Sequence, residues 1–128
     1  MIKFVIEGET PSKKNNRIIN CKTGGSFPSK TYTEWHKRIQ PDIERQMSEQ
    51  AQGCGYKLPL SKPCSIKMLF IHGDLTRRDS DNEATSILDL LQDCGVLADD
   101  CWQIVRKIHI ENGYMPNKSY CKVEIETL

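Results

Sequence analysis

The sequence is short of the features that mark several large classes of protein. No apolar run approaches the ~20 residues of a membrane-spanning helix, which excludes a helical membrane protein. The opening Met1-Ile2-Lys3-Phe4-Val5-Ile6-Glu7 does not have the layout of a signal peptide and alternates like a strand, so a cytoplasmic location is expected. There is no Cys-x-x-Cys pair, so a zinc ribbon is not expected. Cys21, Cys54, Cys64, Cys94, Cys101 and Cys121 read as reduced thiols, several of them as small core residues. No internal repeat, low-complexity tract, glycine-rich phosphate loop or Ser/His/Asp arrangement is present, and nothing points to a small organic cofactor. Charge of one sign is also lacking. The 18 Lys and Arg against 17 Asp and Glu leave a net charge of +1, which on average speaks against nucleic acid.

What is present is an ordinary globular composition, 38% hydrophobic and 27% charged over 128 residues, which fits a single domain over 1–128. Residues 2–7 predict a strand with Ile2, Phe4 and Ile6 on one face. Residues 8–30, with Pro11, Gly24, Gly25 and Pro28, predict a long loop, and long loops in compact domains tend to carry function. Trp35, Ile39, Ile43 and Met47 recur every fourth residue and predict a helix over 31–51, with Pro41 expected to kink or break it. Residues 64–72 predict a second strand. Ala84, Ile87, Leu88 and Leu91, widened by Leu90 and Cys94, predict a helix over 81–94, capped by Ser80 or Asp81 and closed by Gly95. Residues 103–111, with Ile104, Ile108 and Ile110 on one face, and 120–127, with Cys121, Val123 and Ile125 inward, alternate as strands, and the turn residues between them predict an antiparallel hairpin. The order β-α-β-α-β-β implies an α+β fold: a small mixed four-stranded sheet with helices packed on it, whose edges suit pairing into a homodimer.

Taken segment by segment, the charge points the other way from its average. Residues 10–38 carry Lys13, Lys14, Arg17, Lys22, Lys30, Lys37 and Arg38 against Glu34 alone, a net of +6. Residues 74–100 carry eight acids (Asp74, Asp79, Asp81, Glu83, Asp89, Asp93, Asp99 and Asp100) against Arg77 and Arg78, a net of −6. Cations spread along a loop with Ser12, Asn15 and Asn16 among them suit a phosphate backbone. Tyr32 and Trp35 either stack on bases or belong to the core, and the helical spacing favours the core for Trp35.

Asp79 and Asp81 are two apart and point the same way in an extended stretch. A strand returning from Asp100 is expected to bring a third carboxylate beside them. Three oxygen ligands in an open cluster suit Mg²⁺ or Mn²⁺, whereas the bland alternative is solvated acid flanking a helix. A calcium loop starting at Asp79 is excluded, because its sixth and twelfth positions are Ala84 and Leu90 rather than Gly and Glu. His36, His72 and His109 have no ligand spacing and read as surface or strand-face residues.

Arg77-Arg78-Asp79-Ser80-Asp81-Asn82, the helix with Ile87-Leu88-Asp89-Leu90-Leu91, then Gly95-Val96-Leu97-Ala98-Asp99-Asp100 and Gln103-Ile104-Val105 resemble the RusA family of Holliday-junction resolvases. The agreement runs over residues 77–105, and Pro11-Ser12-Lys13-Lys14-Asn15-Asn16-Arg17 is similar to the family's loop after its first strand. The resemblance implies a homodimeric, Mg²⁺-dependent endonuclease, with Mn²⁺ as substitute, that resolves four-way DNA junctions by paired phosphodiester hydrolysis. It implies Asp79, Asp81 and Asp100 as metal-holding catalytic residues. Lys13, Lys14, Asn16, Arg17, Arg77 and Arg78 are the expected DNA contacts, with Asn82, Asp89 and Asp99 in supporting positions. The family association also points to a phage or prophage origin in a bacterial cell. One position departs from the pattern: Thr85 stands where the family has a lysine one turn into the helix. Either another base compensates (Lys13, Lys14, Arg78 and Lys107 are candidates), or catalysis is weaker, or the chain binds branched DNA without cutting it.

Overall fold

The structure is a computed structural model that describes residues 1–12, 17–19, 26–28, 30–54 and 57–128. The alternation of the first segment forms β1 (Ile2–Glu7), with Ile2, Phe4 and Ile6 buried. The long loop contains a short antiparallel pair that periodicity did not announce, β2 (Arg17–Ile19) and β3 (Ser26–Pro28). Next come α1 (Lys30–Cys54), β4 (Cys64–His72), α2 (Ser80–Asp93), β5 (Val105–Tyr114) and β6 (Tyr120–Thr127). The main sheet is mixed, in the order β1-β6-β4-β5, so the α+β class holds.

The hairpin expected from the last two strands is not formed. β5 pairs with β4 in parallel, from Cys64 opposite Val105 to His72 opposite Tyr114. β6 lies between β1 and β4, antiparallel to both. A parallel pair needs a crossover, and α2 is that crossover. The connection after β5 passes over the end of β4, where Met115 N–H donates to the His72 carbonyl at 3.0 Å and Asn117 N–H to the Gly73 carbonyl at 3.2 Å. β6 is thereby central, and its alternating Cys121, Val123 and Ile125 are buried. β5 is an edge strand, and its Ile108 remains 45% exposed.

One apolar cluster joins Phe4, Ile66, Met68, Phe70, Val123 and Ile125 of the sheet to Trp35, Ile39 and Ile43 of α1 and to Ile87, Leu90 and Leu91 of α2. Tyr32 and Trp35 are buried in it, which removes them as base-stacking candidates. The expected break at Pro41 does not occur, and α1 runs through it. Proline costs the helix one N–H bond, and Ile39 and Ile43, buried on either side of it, hold both halves on the sheet. Two glutamines of α1 also close the outer edge of β1. The Gln46 side chain receives the Val5 N–H and donates to its carbonyl, both at 2.9 Å. Gln50 does the same at Lys3, at 2.8 and 2.6 Å. These amides occupy backbone groups that another strand would otherwise take. Among the described residues no such pair of glutamines covers β5, at the opposite edge. Among the described residues no helix is long and apolar enough to cross a membrane.

Candidate functional site

α2 starts where β4 ends, so its first turn faces the C-terminal edge of the sheet. The cap is Asp79 rather than Ser80 or Asp81. Its backbone is extended, and its carbonyl accepts the Asn82 and Glu83 N–H groups at 3.2 and 3.4 Å. Its carboxylate makes no capping hydrogen bond and pairs instead with Arg77 at 3.2 Å. Asp81, in the first turn, is exposed. Asn82 is buried, and Asp89 is half-buried near Tyr32, whose phenol is pushed up by burial and by the charges of Asp89 and Asp93. Gly95, with φ +77°, closes the helix as expected.

Asp99 and Asp100 are exposed at the other end of α2, in the turn that precedes β5. The Asp99 carboxylate accepts the Asp100 N–H at 2.7 Å, a positioning contact. Because β5 runs parallel to β4, its first residues sit beside Cys64 while Asn112, near its end, reaches Ser80 Oγ at 2.9 Å. The 14 residues of α2 separate the two ends by roughly 20 Å. A single chain therefore places Asp79 and Asp81 at the start of α2 and Asp100 beyond its far end.

Lys13, Lys14 and Asn16 lie outside the described residues, and Arg17 is described only as the first residue of β2. Arg77 is largely exposed and forms an ion pair with Asp79. Arg78 is more committed. It chelates Asp74 through Nη1 and Nη2 at 2.8 and 3.3 Å, and its Nε lies 3.2 Å from Glu9. Hydrogen bonding to this guanidinium holds the Asp74 carboxyl well below the usual range. Thr85 Oγ1 donates to the Asp81 carbonyl at 2.9 Å, so its hydroxyl is turned back on the helix.

Beside Asp79 lies a group that sequence spacing does not reveal. Glu9 follows β1, His72 ends β4 and Glu83 stands in the first turn of α2, and one ligand atom of each lies within 4.8 Å of the others. This group could hold a metal ion. His72 Nδ1 is 2.6 Å from Glu9 Oε1, and its Nε2 is 2.8 Å from Asn112 Oδ1. Glu83 is only 2% exposed, and neither of its carboxylate oxygens has a hydrogen-bond partner. Burial pushes its carboxyl up to about 7, with His72 opposing and Glu9 reinforcing the shift. Burial lowers His72, but hydrogen bonds to Asn112 and Glu9 outweigh it and leave the imidazole raised. A cleft of about 350 Å³ joins the two features, its walls including Glu9, Ser12, Arg77, Arg78, Asp79 and Glu83.

His36 and His109 each pair with one acid, Asp93 at 2.8 Å and Glu111 at 2.7 Å. His72 alone among the histidines meets two. One signal for this group was available. Glu83 falls four residues before Ile87 and seven before Leu90, an acid on the apolar stripe of α2. Glu9 and His72 had none, because only the sheet brings them together. No protein-family model matches the chain, and no curated protein matches it either.

Proposed function

We propose that the protein is a divalent-metal endonuclease that cuts branched DNA. The observation that carries this reading is the cleft, where Pro11 and Ser12, at the start of the cation-rich segment, share walls with Arg77 and Asp79. A phosphate drawn in by the basic segment would meet the acidic start of α2 at once. Arg77 is the side chain best placed to take it. An exposed ion pair is worth about 0–1 kcal/mol, so its hold on Asp79 yields readily to a phosphodiester. Arg78 keeps Glu9 and Asp74 in place.

Asp79 and Asp81 would hold Mg²⁺, but two carboxylates from one chain make only part of the expected set. Asp100 of a second copy completes it. Among the described residues β5 is the edge without glutamine cover, and Trp102 just before it and Ile108 and Tyr114 along it are 68%, 45% and 52% exposed. Two β5 strands paired antiparallel put the Asp100 end of one chain against the Ser80–Asn112 end of the other. The metal would supply Lewis-acid polarisation of the scissile phosphate and a water nucleophile at neutral pH. Such a dimer holds two sites, as paired cuts on opposing strands require.

The test is cleavage of a synthetic four-way junction in Mg²⁺ or Mn²⁺, with linear duplex as control. Junction-selective product from the wild type and none from Asp81→Asn supports the reading; equal cutting by both rejects it. A second reading, binding without chemistry, is favoured by Thr85, whose hydroxyl is spent on the Asp81 carbonyl and which brings no charge. It predicts salt-sensitive junction binding and no metal-dependent product. Thr85→Lys separates the two, since an added cation one turn above Asp81 should raise the cutting rate of a weakened enzyme.

A further inference from the structure

We propose that Glu9, His72 and Glu83 bind one divalent transition-metal ion, at a site separate from the three aspartates. The donors come from three elements that only the fold assembles, and they lie within 4.8 Å of one another. Carboxylate oxygen and imidazole nitrogen sit about 2.0–2.2 Å from such ions, so two donors on one ion are at most about 4.4 Å apart. Side-chain adjustment, including an opening of the 2.6 Å His72–Glu9 contact, would bring all three onto a common centre.

Two independent features point to a cation there. Glu83 is buried, and both its oxygens and Glu9 Oε2 have no hydrogen-bond partner. Buried lone pairs left unused are costly, and these face an imidazole nitrogen and another carboxylate. The second feature is the support behind His72. Asn112 Nδ2 donates to Ser80 Oγ at 2.9 Å, which turns its Oδ1 toward His72 Nε2 at 2.8 Å. The Nε2 proton is thereby fixed, and Nδ1, on the Glu9 side, is the nitrogen left to ligate. A carbonyl oxygen behind the distal N–H is the usual support of a metal-bound imidazole.

The nitrogen decides the class of ion. Mg²⁺ and Ca²⁺ take oxygen ligands, whereas a mixed imidazole–carboxylate set favours Zn²⁺ and, more weakly, Mn²⁺. Three protein ligands leave coordination positions open toward the cleft that Arg78 and Asp79 also line.

The experiment uses the full chain stripped of metal by chelation, with Mn²⁺ as the probe in electron paramagnetic resonance. The expected result is a bound Mn²⁺ whose spin-echo modulation reports a directly coordinated nitrogen, distinct from any oxygen-only Mn²⁺ at the aspartates, displaced by Zn²⁺ and not by an equal concentration of Mg²⁺. Glu83→Gln and His72→Gln should each weaken binding by about tenfold or more, while Asp81→Asn leaves the nitrogen-coupled signal in place. Mn²⁺ bound through oxygen alone, with no nitrogen-coupled ion, or affinity at the nitrogen-coupled site unchanged in both substituted proteins, overturns the proposal. Should His72→Gln not fold, the nitrogen signal of the wild type decides alone. Because the readout is binding, failure to cut junctions leaves this result standing.

Discussion

Replacing Glu83 by glutamine should stabilise the metal-free protein at pH 8 and leave it nearly unchanged at pH 4. The carboxyl is raised from 4.5 to about 7 in the folded protein, chiefly by burial. Below pH 4.5 it is protonated both folded and unfolded, and it contributes no difference. Between 4.5 and 7 the unfolded chain releases the proton while the folded one keeps it, so stability falls as pH rises. Above 7 the penalty levels off. A shift of this size corresponds to about 3 kcal/mol, which glutamine, of nearly the same shape and always neutral, would recover. With a urea slope of about 1–3 kcal/mol per molar, the midpoint at pH 8 should move up by about 1–3 M. The assay is urea denaturation of both proteins at pH 4, 6 and 8 in the presence of a chelator. The gain should grow through this window. An equal shift at all three pH values, or a destabilised variant at pH 8, would refute the burial argument.

Three further expectations follow from named contacts. Gln46→Ala removes both hydrogen bonds to Val5 and should cost about 1–3 kcal/mol in urea denaturation; an unchanged midpoint would mean that solvent serves the β1 edge equally well. Ile108→Lys places a charge on the uncovered β5 edge and should give monomers in sedimentation with the fold intact, whereas a dimer that survives would put the interface elsewhere. Ile87→Ala, at a fully buried position, should cost about 2–5 kcal/mol, and a loss under about 1 kcal/mol would show that the core beneath α2 closes around the gap.

Much of the fold was legible because its elements bury regular stripes. Ile2, Phe4 and Ile6, then Ile66, Met68 and Phe70, then Cys121, Val123 and Ile125 alternate in the sequence and are buried in the sheet. Alternation says which face is buried but not which strand lies alongside, so β5 and β6 read as a hairpin although β4 stands between them. The same gap in information governs the site. Asp79 and Asp81 are local in sequence, and their shared helix start was readable. Whether Asp100 joins them depends on the direction of β5, and parallel pairing puts it at the far end. The Glu9, His72 and Glu83 group depends on three elements meeting, of which only the acid in the apolar stripe of α2 left a trace in the sequence.

The reading of an active site shared between two chains is tested most directly by complementation. Asp81→Asn and Asp100→Asn proteins, each assayed alone and then as a mixed dimer purified through two different tags, are offered a four-way junction in Mg²⁺. Neither substituted homodimer should cut. The mixed dimer retains one intact set, Asp79 and Asp81 from one chain with Asp100 from the other, and should nick only one of the two opposing strands cut by the wild type. A mixed dimer as inert as its parents, beside an active wild type, would contradict the shared site.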